Sequence, residues 1–527
     1  MHVAVKVGIG LILLLFGAIA GMAATGFCPP AGPWPLPPWC SAPGPSPAFS
    51  DALSLIPQSG YGDLQDVNRG TPMTVPFEVA LPATRDEVVL TLDGKDYALE
   101  RVADYYYRHP GVPVTSGESY QYRVAAGSSG TLPVTGVKTT GAPLRAGLVW
   151  SNTPVVAKPG FVRGHAIMDA GGNIPAAAKS GYLWKTYDAM EEDGAEWVAY
   201  DYYWAYANTS EPRIVDEASF ALGYAADDHS IGLMAAEAHR RGLKFFLMTE
   251  LEWTVMPGEF STGDNDAYMQ YQEKKWTDGQ KTVYEMGERL ERNPLDPEAN
   301  AYWDRWFVQF GEFMQKSATI AEKHDTEMLA IGKQIDGAMV PANERRWRAL
   351  IADVRKVYRG KITQVLYTNE WSDHAKEVPW ADDLDVITIY YYNRFSDKGR
   401  PSVDELSASM EGFNRKQFDP LYAKYQKPLL FLLPFQSRDH AARQEWFEPM
   451  ATAPAVREDM MAQADLYEAF FIATLDEPWL DGVYTWGYWI EPGFDPRYSF
   501  EKSSTVRNKP ASLVVRKWFA MVKPGSG

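Results

Sequence analysis

The chain has 527 residues, enough for one large domain with a smaller companion. Its formal net charge of −17 argues against nucleic acid or an anionic membrane surface as a partner, since both call for clustered Lys and Arg. Only two cysteines are present, both in the first 40 residues, so disulfides cannot be what holds the fold together.

Residues 1–24 read as a targeting segment. Lys6 precedes VGIGLILLLFGAIAGMAA, an apolar run that ends in small residues. That ending favours a cleaved secretory signal, and the length also suits a retained membrane anchor. Either reading places the mature chain outside the cytoplasm, with no membrane contact except through residues 7–24. A linker follows over 25–70, beginning FCPPAGPWPLPPWCSAPGPSP, whose proline content suits a semi-rigid polyproline-like tether. Cys28 and Cys40 both lie in it, so a local disulfide there is compatible with export.

From 71 to 143 short alternating segments appear: PFEVAL, DEVVLTLDG, YALERV, YQYRVAA and VTGVKTT, with Asp93-Gly94 and Gly127 to Gly130 as turns. They predict a small all-β sandwich. Tyr120-Gln121-Tyr122-Arg123-Val124 resembles the late strand of fibronectin type III domains, which implies a spacer or packing module.

Over 144–522 apolar strand candidates alternate with helical periodicity. The strands fall at 162–168, 196–201, 243–250, 327–333, 361–369, 384–392, 428–435 and 480–486. Between them, Leu183, Tyr187 and Met190 share one helical face, as do Ile231, Met234, Ala235 and Ala238, and then Trp347, Leu350, Ile351 and Val354. Gly194 and Gly242 stand where helices end. A last helix is expected at 509–520. Eight strands and eight helices in alternation predict an α/β fold, a (β/α)8 TIM barrel.

A TIM barrel builds its site at the carboxyl ends of its strands. The polar and aromatic residues expected there begin with Asp201 to Trp204 on the second strand. Glu250, Glu252 and Trp253 end the third and lead into a loop at about 252–296 that carries Trp276. Lys333, Gln334 and Asp336 follow the fourth, and Asn369, Glu370, Trp371 and Asp373 the fifth. The sixth gives Tyr390 to Tyr392, the seventh Gln436, and the eighth Trp486, Trp489 and Glu491. Carboxylates crowded into one cleft shift one another's pKa values, the division of labour that glycoside hydrolysis needs. Aromatic faces suit stacking on sugar rings, and 18 Trp and 29 Tyr supply many of them. The candidates for acid, base or hydroxyl binding are Glu250, Glu252, Asp336, Glu370 and Glu491. The candidates for substrate contact are Asp201, Trp204, Trp253, Gln334, Asn369, Trp371, Tyr391, Trp486 and Trp489. No cofactor is expected. The eight histidines show no zinc-ligand spacing, and Asp264-Asn265-Asp266 reads as a solvated acidic triplet before a calcium site.

Through GAEWVAYDYYW (194–204), AEAHRRGLKFFL (236–247), LAIGKQID (329–336), KPLLF (427–431), QADLYEAFF (463–471) and KPASLVVRKWF (509–519), the chain resembles the clan-A TIM-barrel glycoside hydrolases, and among them the family 113 β-mannanase group. The resemblance implies a polysaccharide or oligosaccharide ligand and two catalytic Glu positions. Carried over, the general acid/base falls on Gln334 and the nucleophile on Leu433, and neither side chain can do that work. Asn369-Glu370 is similar to the Asn-Glu pair that clan-A enzymes carry at the acid/base, although strand counting puts it on the fifth strand rather than the fourth. Besides that match, two expectations remain. One is a hydrolase with a rearranged carboxylate site, in which Asp336 points the way Gln334 does if the segment is extended. The other is an inactive pseudo-glycosidase that keeps the groove for binding a glycan or a cell-envelope partner.

Overall fold

The computed structural model describes residues 72–523 apart from 81–86, 104–105, 116–118, 127–134, 139–143, 146–155, 159, 169–176, 179–180, 216–225, 253–264, 334, 369–377, 400, 444–458, 491–501 and 508. The expected targeting segment and the proline-rich linker lie outside these residues.

The first described region forms two four-stranded sheets. One orders Glu100–Ala103, Tyr106–Thr115, Pro72–Ala80 and Leu144–Arg145; the other orders Lys95–Ala98, Val88–Leu92, Ser119–Ala126 and Thr135–Lys138. Period-2 alternation buries Val88, Leu90 and Leu92 on one face. Asp93 and Gly94, with φ of 46° and 80°, close the tight hairpin that joins Leu92 to Lys95. The strand Tyr106–Thr115 was not foreseen, because Pro110 and Pro113 argue against a strand there. It accommodates Pro110 and Gly111 at a register shift, where pairing passes from Phe77↔His109 to Val75↔Val112.

The larger region is a closed parallel barrel. Its strands are β1 (Val162–Met168), β2 (Trp197–Asn208), β3 (Lys244–Glu252), β4 (Met328–Ala330), β5 in two segments (Lys361–Thr363 and Val365–Thr368), β6 (Ile387–Tyr391), β7 (Leu429–Leu433) and β8 (Leu480–Trp489). Each pairs in parallel with its neighbours in sequence, and β8 returns to pair with β1. β4 meets the first segment of β5 and β6 meets the second, with Gln364 between them. Helices lie between the strands: α1 (Tyr182–Glu192), α2 (Asp228–Arg240), α3 (Asn265–Arg292), α4 (Pro297–Lys323), α5 (Glu344–Arg355), α6 (Val403–Tyr425), α7 (Met460–Thr474) and α8 (Pro510–Met521). α3 and α4 both stand between β3 and β4, and the described residues between β5 and β6 hold only a 3-10 turn, Ala381–Asp383, where the alternation predicts a helix. The closed parallel sheet with helices outside it fits the (β/α)8 barrel expected from the sequence.

Two apolar clusters share the strands by parity. One is drawn almost entirely from strand residues, among them Ala166, Ala199, Phe246, Met248, Ala330, Val365, Leu430, Leu432 and Tyr484, and fills the barrel. The other joins the outward-facing residues to the helices: Val198, Phe245, Leu247, Leu329, Ile389, Phe431 and Leu433 meet Trp303, Trp306, Trp347 and Phe470. Gly194 and Gly242 follow α1 and α2 with φ of 85° and 77°, the left-handed backbone that ends a helix.

One expectation fails here. Most of the loop expected at 252–296 is α3, a 28-residue helix. Its polar composition hid the period, although Val283 and Leu290 are buried at i and i+7. Among the described residues, no helix is long and apolar enough to cross a membrane.

Candidate functional site at the carboxyl ends of the strands

β2 alternates Asp201 and Tyr203 inward with Tyr202 and Trp204 outward, and β3 turns Glu250 inward beside them. β4 is short and is followed by Ile331-Gly332. Gly332 has φ of 114°, and a Cβ there would lie 2.2 Å from Ile335 Cδ1, so the turn needs glycine. Immediately after it, Lys333 enters the barrel and is fully buried. Its Nζ donates to Asp201 Oδ2 at 2.9 Å and to Glu250 Oε2, and lies 5.2 Å from the centre of the Trp486 ring. Asp201 and Glu250 are each only 2% exposed.

The charges explain one another. Burial alone would push the Lys333 ammonium down, but Asp201 and Glu250 outweigh it and hold its pKa above the ordinary lysine value. One cation faces two carboxylates in a dry environment, where removing a partner costs far more than the intact group contributes. Asp201 Oδ1 is buried and has no hydrogen-bond donor among the described residues. A carboxylate oxygen in that state accepts readily from a ligand hydroxyl.

An aromatic wall adjoins this group. Tyr367 of β5 stacks on Tyr390 of β6 at 4.5 Å between ring centres and 22° between planes. Trp486 meets Tyr390 edge-on at 5.7 Å. Lys333 and Tyr390 were expected at the strand ends but not among the candidates for catalysis or substrate contact, and Tyr367 was not foreseen. Parity could have found Tyr390, since it lies on the face of β6 opposite Tyr391.

The remaining sequence candidates divide clearly. Tyr391 does not reach the barrel mouth: it is fully buried in the outer layer, where its hydroxyl donates to Asn414 Oδ1 at 2.9 Å and its ring lies among Phe395, Phe431 and Phe470. Trp204 also points outward, stacking on Phe313 of α4 at 4.9 Å. Both placements follow from strand alternation, because each is an odd number of residues from an inward-facing neighbour. Trp486 is inside the barrel and Trp489 is 2% exposed. Glu252 is the last residue of β3, paired with Ala205.

Asp336 opens a 3-10 turn, Asp336–Ala338, and the expected alignment of its side chain with Gln334 lies outside the described residues. Gln334, Trp253, Asn369, Glu370, Trp371 and Glu491 fall outside the described residues, Asn369 directly after the end of β5. Leu433, where the sequence resemblance would place a nucleophile, turns its side chain into the outer layer, while its carbonyl accepts from Tyr467 Oη at 3.0 Å. Among the described residues no group of three His, Cys, Asp or Glu is placed to hold a metal.

Comparison with known proteins adds a family. The model of Glycoside Hydrolase Family 113 matches residues 291–502. No curated protein matches. A solved GH113 β-1,4-mannanase complex is 22% identical, covering 68% of this chain and 99% of its own, with a TM-score of 0.47. The GH113 β-mannanase AaManA from Alicyclobacillus acidocaldarius in complex with ManMIm is also 22% identical, covering 68% of this chain and 97% of its own, with a TM-score of 0.48. Over the stretch that contributes β4 through β8, the chain therefore resembles Glycoside Hydrolase Family 113.

Proposed function

We propose that this is an exported glycoside hydrolase-like protein that takes a polysaccharide at the carboxyl ends of the barrel strands and cleaves it with a carboxylate pair outside the family positions. The observation that carries the reading is the gathering of Asp201, Glu250 and Lys333 beside Tyr367, Tyr390 and Trp486 at the end of the barrel where this fold places its sites. The family match over β4 to β8 supports it. The solved members named above are mannanases, so β-1,4-mannan is the first polymer to test.

In this reading Lys333 occupies Asp201 and Glu250 with its ion pairs, and Asp201 Oδ1 accepts a sugar hydroxyl. Glu250 is thereby removed from the acid candidates. Asp336, Glu252, Glu370 and Glu491 remain. One carboxyl donates its proton to the glycosidic oxygen as the C–O bond to the leaving sugar breaks. A second takes a proton from the water that forms the new bond at the anomeric carbon. The sandwich serves as a spacer, and the apolar start of the chain directs export.

A second reading, glycan binding without cleavage, is favoured by the placement of Leu433 in the outer layer and by the ion pairs that occupy Glu250. Overnight incubation with a panel of plant and bacterial polysaccharides, with NMR of product anomeric protons, separates the two. Product release supports the hydrolase. Retention in affinity gels without release supports the binding protein, and neither outcome with any polymer overturns both.

A further inference from the structure

The amino ends of the barrel strands carry a polar cavity, at the opposite end of the strands from Lys333. It has a volume of about 420 Å³ and is lined by Trp197, Lys244, Glu327, Arg355, Arg359, Gly360, Lys361 and Asp385. Lys244 is the first residue of β3, Lys361 the first of β5, and Glu327 lies just before β4 between them.

Four cations therefore face two acids, in a chain whose net charge is −17. The acids are already engaged. Glu327 Oε2 accepts from the Phe245 N–H at 2.8 Å and lies 3.2 Å from His239 Nε2. Asp385 Oδ2 accepts from the Ile362 N–H at 2.7 Å and from Arg355. Arg359 pairs with Glu322 outside the cavity. Lys244 and Lys361 are exposed, and neither Nζ has a hydrogen bond or salt bridge among the described residues; the Lys244 Nζ lies 5.1 Å from the centre of the Trp197 ring.

The wall is built closely. A Cβ on Gly360 would fall 2.1 Å from the Tyr358 hydroxyl, which donates to Thr326 O at 2.8 Å, and Arg355 donates to Gly360 O at 2.8 Å. Glycine thus lets the loop that carries Lys361 lie against the start of β4.

We infer that this cavity binds a small oxyanion-bearing molecule, of the size of a sugar acid or sugar phosphate, with Lys244 and Lys361 sharing the charged group. The volume lies within the range of small-molecule pockets, and two ammonium groups without a hydrogen-bonded or ion-paired partner supply the attraction, Lys361 also being within electrostatic reach of Asp481. The site is separate from the strand-end cluster and stands whatever that cluster does.

Calorimetric titration of the full chain with inorganic phosphate, glucuronate and glucose tests it. At least one charged probe is expected to bind, with glucose silent. The Lys244→Gln/Lys361→Gln variant is expected to weaken that binding by at least about tenfold. Lys281→Gln, which alters an exposed lysine of α3, should leave it unchanged. Binding of phosphate alone assigns a phosphate ligand, and binding of glucuronate alone assigns a sugar carboxylate. No binding of either charged probe, or equal affinity in the double variant, overturns the inference.

Discussion

Lys333 is the residue on which the strand-end cluster depends. Lys333→Met leaves Asp201 and Glu250 as buried charges without a cation and should cost about 3–5 kcal/mol, read as a lowered urea midpoint. Adding Asp201→Asn and Glu250→Gln should recover part of that loss, because the amides leave no buried net charge. If Lys333→Met alone keeps the wild-type midpoint, Lys333 does not pair with Asp201 and Glu250 in a buried ion group. The sequence showed Lys333 at a strand end. It did not show that Gly332 turns it inward, since that depends on a backbone angle.

A second residue-scale prediction concerns His165 and Asp193. His165 is fully buried between Thr485 and Tyr488, and burial pulls it down to about 3. Burial pushes Asp193 up to about 6, against the Arg516 guanidinium and the Tyr488 hydroxyl, which both favour its charged form. The depressed His165 gives stability that is complete above pH 6.5 and is lost as pH falls toward 3. The raised Asp193 gives stability that is complete below pH 3.8 and is lost as pH rises through about 6. Between pH 4 and 6 the two slopes oppose each other. Relative to wild type, His165→Gln should therefore fall behind as pH rises, by roughly 1 kcal/mol per pH unit, while Asp193→Asn should gain. Urea midpoints across that interval check the signs, and drift of both variants in one direction would contradict the assignment.

At the scale of elements, the strands were legible because a parallel barrel buries both faces and leaves nearly continuous apolar runs. Runs such as PLLFLLPF contain no alternation from which to read inside and outside. That is why Trp204 and Tyr391 were expected at the mouth when they belong to the outer layer. The helix α3 was missed for the opposite reason, too little apolar signal. Two local devices carry measurable weight. Ser402 and Glu405 form a capping box at the start of α6, and Ser402→Ala should cost about 1 kcal/mol. Where β8 closes on β1, a Cβ on Gly482 would lie 2.6 Å from Val162 O, which is backbone and cannot easily yield. Gly482→Ala should cost about 1–3 kcal/mol by thermal or chemical unfolding, and an unchanged melting temperature would speak against this closure.

For the whole molecule, counting alternations was enough for the barrel, since eight strand runs separated by helical stretches admit few other folds. The site was legible only as a location. Asp201, Glu250 and Trp486 do gather at the strand ends, but which acids remain available depends on ion pairs between distant residues, such as Lys333 with Asp201. The central claim is that the mouth cleaves a polysaccharide without Glu250 as its acid. The most direct measurement is product release from the polysaccharide panel, β-1,4-mannan first, by wild type and by Asp336→Asn, Glu252→Gln, Glu370→Gln and Glu491→Gln. We predict soluble product whose anomeric proton is seen by NMR, with release reduced at least about a hundredfold in two of the four variants. No release by the wild type from any polymer, or full release by all four variants, would contradict it.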